Sequence, residues 1–370
     1  MAALTPVDAA LSIGQRIGRY FSMVSVIPSL FLVVWTYILI ASRATSGKPA
    51  VHNVETALSH WSPGKVTGII LLSFAIAMVL HPLQFATTQL LEGYWGTTRL
   101  AVAVMKLRIV HHRKRQRDLG NAAGNYEDEL DARTHQLLKE QPGYQPGWEA
   151  DPVKLGGRLE GVLKGEPGDK LMGYVIAQQE ALDHSDRYPA DPRRILPTQL
   201  GNALRRFEDS AGSQYGLNAI TIAPHLYLTA PDRHRDYLID TREDMDTSIR
   251  ICTVGLAATA LTCCFFLTKG LWLLWALLPY FISYLAYRGA VSAARAYGSI
   301  VTTVIDLNRF RLYSELGLDL PRDSAQEREN NEKLMLMLGN SKDIDIRYSQ
   351  EMATPAANDS GMTGTHPGTG

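Results

Sequence analysis

The chain has 370 residues, and Lys+Arg and Asp+Glu both total 37, so the balance of charge gives no sign of nucleic acid or of an acidic partner. Hydrophobic residues make up 46%, ordinary for a soluble protein, but they are gathered into a few blocks. All three cysteines, Cys252, Cys263 and Cys264, fall in one such block, which excludes a disulfide framework and any zinc spacing.

The blocks set the reading of the whole chain. A bilayer core about 30 Å thick needs roughly 20 apolar residues at 1.5 Å rise each. Residues 21–42 form the first uncharged run (TM1) and 66–91 the second (TM2). Residues 249–268 (TM3) and 271–287 (TM4) follow, parted by a break at Lys269 and Gly270, the pattern of a hairpin that crosses and returns. Unpaired backbone is too costly in lipid, so all four are expected to be helices. Arg16 and Arg19 precede the first run as they would a signal peptide. The run is too long for an h-region and no clean cleavage site follows, so a retained anchor is expected.

Orientation follows from the basic residues flanking the spans. The segment 43–65 carries Arg43, Lys48 and Lys65, whereas the stretch after TM2 carries Arg99, Lys106, Arg108, Arg113, Lys114, Arg115 and Arg117. Arg242 precedes TM3 and Arg250 stands at its very start, just before the uncharged run from Ile251, and Arg288 and Arg295 follow TM4. This places residues 1–20, the insertion 92–248 and everything after 287 in the cytoplasm, and the loop 43–65 outside, in a multi-pass protein of the plasma (inner) membrane. Trp61, Tyr94 and Trp95 read as an aromatic belt.

Within the insertion, Leu100, Val104, Leu107 and Val110 recur at helical spacing, so 96–118 reads as a continuation of TM2. Glycine and proline at 119–195 predict loops and short helices, with a helix over 125–140 and an irregular connector over 141–170. Thr198 reads as the N-cap of a helix with Leu200, Leu204, Phe207 and Ala211 on one face, ending near Gly216. Residues 217–228 read as a short buried strand or helix, and Pro231 as the opening of a helix that runs into TM3. Beyond TM4 an apolar stripe continues to about Leu316, a polar helix spans 324–338 within the C-terminal region 288–340, and the Gly/Ser/Thr/Pro-rich tail 341–370 is expected to be disordered. The predicted fold is therefore all-α: a four-helix transmembrane unit whose long helices extend into a mainly helical cytoplasmic region.

No phosphate-binding, dinucleotide, zinc-protease, hydrolase or kinase motif is present. Neither a cofactor nor a metal site is expected, and the chain reads as a non-enzymatic interaction or scaffold module. His111 and His112 are adjacent and point about 100° apart on a helix, so they make no ready metal pair. Asp244 and Asp246 read as a solvated helix face; convergence of these two with Glu208 and His225 would instead favour an enzyme. The basic residues Lys106, Arg108, Arg113, Lys114, Arg115 and Arg117 are candidate contacts for anionic lipids. His81, Gln84 and Thr88 give the inner end of TM2 a polar side, and they are the candidate lining of a pore or inner vestibule. A homo-oligomer or a cytoplasmic protein is the expected partner besides the bilayer; no nucleic acid is expected.

Leu90–Gly96 (LLEGYWG), the run RYPADPRRILPTQLGNALRRFED at 187–209 and QYGLNAI at 214–220 resemble a group of actinobacterial-type four-span membrane proteins with no known activity. The resemblance covers most of residues 60–316 and implies architecture, not chemistry. The order of spans and loops also resembles the topology of bestrophin-type anion channels, which implies a homo-oligomeric ion channel with TM2 lining the pore. That family's neck and calcium-site patterns are missing here.

Overall fold

A computed structural model describes residues 26–42, 49–59, 62–139, 166–339, 341 and 346–349. The fold is all-α: among the described residues no strand forms, and Leu318 and Tyr348 make an isolated bridge. In chain order the helices are α1 (Val26–Ala41), α2 (Val51–Ser59), α3 (Pro63–Glu92), α4 (Arg99–Lys139), α5 (Glu166–Ser185), α6 (Gln199–Ser210), α7 (Ala219–Thr229), α8 (Asp232–Phe266), α9 (Leu277–Glu315) and α10 (Ser324–Leu338). Short 3₁₀ turns occupy Pro192–Arg194, Ser213–Tyr215 and Gly270–Ala276.

Three of these helical stretches, Pro63–Glu92, Asp232–Phe266 and Gly270–Glu315, are long and apolar enough to cross a bilayer. α3 keeps much of its apolar surface open, with Leu71 65% and Phe85 71% exposed. α1 is apolar but shorter, at 16 residues, and residues 21–25 of the expected first span lie outside the described residues.

The chain divides into two compact units, Met1–Phe207 with Ile239–Gly298, and Glu208–Leu238 with Ser299–Gly370. In the first, α1 packs on α3, and Trp35 and Leu39 of α1 bury against Ala258 and Phe266 of α8, with Trp272 beside them. The Trp35 indole N–H donates to Thr262 Oγ1 at 2.9 Å. A second core joins Leu200, Ala203 and Leu204 of α6 to Met245 and Ile249 of α8 and to Ala290, Val291 and Ala294 of α9. α5 packs along α4, burying Leu171 and Ala181.

In the second unit α7 packs against α10, burying Ile222, Leu226 and Leu334. Arg309 donates to Glu327 at 2.7 Å, both nearly buried, and its guanidinium lies 4.1 Å from the Tyr215 ring. Tyr313 donates to Asn331 Oδ1 at 2.6 Å, and Asn331 donates to the Tyr215 carbonyl at 2.8 Å. Burial, with the negative Glu327 nearby, pushes the Tyr313 phenol up to about 12.

Several expectations are corrected. The helix of the second apolar run does not continue through 96–118. Gly93 caps α3 with φ 107, and a new helix begins at Arg99. That helix runs to Lys139 straight through Gly120 and Gly124. The connector loses its end to α5, which starts at Glu166 with Pro167 in its first turn, where no helical N–H is lost; residues 141–165 lie outside the described residues. The loop 43–65 contains α2, and Ser62 caps α3 at Lys65. The turn between the last two apolar runs is a 3₁₀ segment to Ala276, not two residues. Gly212 follows α6, and Gly216 closes the 3₁₀ turn instead. Of the strand or helix left open over 217–228, the helix forms, over Ala219–Thr229 with Asn218 as its cap. In the tail, Ser349 donates to the Gly317 carbonyl at 2.8 Å, so residues 346–349 are paired; most of 341–370, like Trp61, lies outside the described residues.

Two of the three stretches that carry the first resemblance, 90–96 and 187–209, meet in one joint. Thr198 donates to the Glu92 carbonyl at 2.7 Å while its hydroxyl oxygen accepts from Gly201 N–H at 3.0 Å, which makes it the expected N-cap of α6. A Cβ on Gly201 would collide with the Glu92 carbonyl, and one on Gly93 would sit 2.5 Å from Pro197 Cγ. Arg205 donates to the Tyr94 hydroxyl at 2.7 Å. Tyr287, at the end of the last apolar run, accepts from Gln199 N–H at 3.0 Å and Leu200 N–H at 3.3 Å.

Candidate functional site

In the first unit a pocket of about 270 Å³ is lined by four arginines: Arg115, Arg187, Arg288 and Arg295. Leu119, His184, Tyr188, Gln199, Asn202, Val291 and Ser292 complete the wall. Arg288, Val291, Ser292 and Arg295 stand at i, i+3, i+4 and i+7 on α9, so they share one helix face. Arg115 comes from α4, His184 from the end of α5, and Arg187 and Tyr188 from the segment just beyond it.

That segment is held rigidly. His112, 1% exposed, places Nδ1 3.1 Å from the Tyr188 hydroxyl, and Gln116 donates to the Pro189 carbonyl at 2.9 Å. Arg113 donates to the Pro192 carbonyl at 2.9 Å and Arg108 to that of Pro197 at 3.4 Å. Asn202 is consumed in the same way: its amide donates to the Leu196 and Thr198 carbonyls, and its oxygen accepts from Leu196 N–H. The first amides of α6 are taken by Tyr287 and Thr198, so the donors left to the pocket are side chains, the four arginines among them.

Among the described residues none of the four arginines has an ion pair with a carboxylate. Arg187 Nε is buried and has no hydrogen-bond partner, a costly state for a charged donor. Burial first, and then the like charges of Arg295, Arg115 and Arg288, hold the Arg187 guanidinium below its ordinary range. Burial and Arg187 lower His184 as well, although Glu180 lies 3.7 Å away. Burial and Arg108 bring His112 down to about 4, so it is neutral at pH 7.

No family model, curated protein or solved structure matches the chain.

The basic cluster read from the sequence divides by role. All six are exposed, but Arg108 and Arg113 brace the 189–197 segment and Arg115 lines the pocket, while Lys106, Lys114 and Arg117 do neither. In the sequence Arg288 and Arg295 stand out only as topology signals, and Arg187 carries no signal of its own. Arg288 and Arg295 at heptad spacing were visible, but nothing in the sequence joined them to Arg115 and Arg187.

The polar end of α3 is different. Gln84 Oε1 accepts from Arg250 Nε at 2.9 Å, and His81, Gln84 and Thr87 border a cavity of about 20 Å³ with Pro28, Ser29 and Arg250. That volume holds about one water, which is no ion path within a single chain. Thr88 is buried and does not line the cavity. Among the described residues no three of His, Cys, Asp and Glu converge to hold a metal ion.

Proposed function

We propose that this protein is a four-span membrane protein whose work is done by its cytoplasmic face, as an interaction module that engages anionic groups at the inner leaflet. At 1.5 Å per residue, α8 and α9, with 35 and 39 residues, reach about 52 and 58 Å, well beyond a hydrocarbon core of about 30 Å. Both therefore have length left over after crossing, and their polar ends carry the charged side chains. In this reading α1, α3, α8 and the Gly270–Ala276 segment with the start of α9 are the spans, and both termini are cytoplasmic.

The observation that carries the reading is the placement of the arginine pocket along α9. Arg288 directly follows the last apolar run, and Arg295 lies about 10 Å further along the helix axis. Such positions correspond to the headgroup layer, where each basic residue near an anionic surface contributes roughly 1 kcal/mol. The exposed Lys106, Lys114 and Arg117 add to the same field.

Extraction in mild detergent, followed by mass analysis of the intact particle, tests this. Co-purification of anionic lipid or of a cytoplasmic protein is the expected result. A bare monomer with neither lipid nor partner contradicts it.

A further inference from the structure

We infer that the pocket lined by Arg115, Arg187, Arg288 and Arg295 is a binding site for a phosphate-bearing group carrying more than one negative charge. The inference deepens the function proposed above, and only its lipid form depends on the membrane reading.

Three features argue for that chemistry. The first is charge. Four arginines line one pocket and none makes an ion pair among the described residues; Asp183 acts on Arg187 from a distance, and Arg115, Arg288 and Arg295 keep contact with solvent. Arg206 and Arg242, by contrast, are paired with Asp186 and Asp246. A phosphodiester brings one negative charge, whereas a phosphomonoester brings close to two and a pyrophosphate more. Only the multiply charged groups approach compensation. The second is donor geometry. Guanidinium forks match phosphate oxygens two at a time, and Arg288 and Arg295 bring theirs to the pocket from one face of α9. The third is size. About 270 Å³ is at the small end of ligand sites, so it suits one headgroup or a small phosphorylated molecule and excludes a helix or a nucleic-acid strand. Ser292 supplies a polar group beside the arginines on α9.

The same chemistry reaches the pocket from two sources, a phosphomonoester lipid or a soluble pyrophosphate-like compound. Full-length protein in neutral phosphatidylcholine nanodiscs is titrated with pyrophosphate at constant ionic strength. In a second arm the nanodiscs carry phosphatidic acid or, at equal charge, phosphatidylglycerol. Arg187→Gln and Arg295→Gln are compared with the surface controls Arg233→Gln and Arg311→Gln, both exposed and in the second unit, with binding read as the shift in thermal midpoint. Saturable stabilisation by pyrophosphate, by phosphatidic acid or by both is expected. Each pocket variant should weaken it at least about tenfold, and each control by less than about twofold. If Arg187→Gln fails to fold, Arg187→Lys is used, which keeps the charge, loses the fork and is expected to bind weakly. Response to pyrophosphate alone upholds the pocket and overturns only its lipid form. Response to neither probe, equal response to phosphatidylglycerol and phosphatidic acid, or equal losses in the surface controls overturns the inference.

Discussion

Thr198 and Glu92, distant in the chain, are joined by a 2.7 Å hydrogen bond from the threonine hydroxyl to the glutamate carbonyl. That carbonyl belongs to the last turn of α3 and would otherwise lack an intrahelical donor. The same hydroxyl oxygen accepts from Gly201 N–H, so one side chain closes two helix ends.

The joint leaves no room for a methyl group. Gly201→Ala drives a Cβ into the Glu92 carbonyl and should cost about 1–3 kcal/mol. Thr198→Val, which keeps the shape and loses both hydrogen bonds, should cost about 1–2 kcal/mol. Thermal melts of purified protein followed by circular dichroism would show both as lowered midpoints; unchanged midpoints would mean that the two helix ends are not coupled there.

Arg187 should be a liability when no anion is present. Its buried Nε is unsatisfied and three like charges act on it. Arg187→Gln is therefore expected to stabilise the protein by about 1 kcal/mol in low-salt, phosphate-free buffer. Denaturant melts measure this, and a loss of stability would show that the arginine is a structural prop.

Much of the helix map was legible in the sequence, because its signals were local. Thr198, Pro231 and Leu316-Gly317 mark ends that side-chain chemistry alone explains. α4 was not, since Gly120 and Gly124 each cost about 1 kcal/mol in a helix and so read as breaks. Packing of α5 along α4 outweighs that cost, and Arg133 lying 5.1 Å from the Tyr174 ring adds to it. The arginine pocket was illegible for a similar reason: its four charges come from separate segments, and only the packing of α4, α5, α6 and α9 makes them one site. Gln84 and Arg250 likewise were read apart, one as a pore residue and the other as a topology signal, and prove to be partners.

Acid should destabilise the first unit through His112. The ring faces Arg108, His111 and Arg115, with Tyr188 on the segment packed against it. Its pKa falls from 6.5 unfolded to about 4 folded, so between these values the unfolded chain binds the extra proton. Full stability is therefore present above about pH 6.5 and is lost progressively as pH falls toward 4, by a few kcal/mol. Melts across that window, compared with His112→Gln, should show a slope that the variant loses; equal slopes would place the titration elsewhere.

In the second unit, Glu327→Ala leaves the half-buried Arg309 without its carboxylate partner. The loss should be about 3 kcal/mol or more. Limited proteolysis should then cut within Glu208–Leu238 or Ser299–Gly339 before the first unit. Cleavage with wild-type timing would show that the ion pair contributes little.

The central claim, that the arginine pocket faces the cytoplasm across four spans, is tested most directly by cysteine accessibility. Cys252, Cys263 and Cys264 are replaced by alanine, and Lys269→Cys and Arg295→Cys are introduced singly. An impermeant maleimide is applied to right-side-out vesicles before and after permeabilisation. Labelling of Lys269→Cys in intact vesicles, and of Arg295→Cys only once they are opened, is the predicted result. Labelling of Arg295→Cys in intact vesicles contradicts the account.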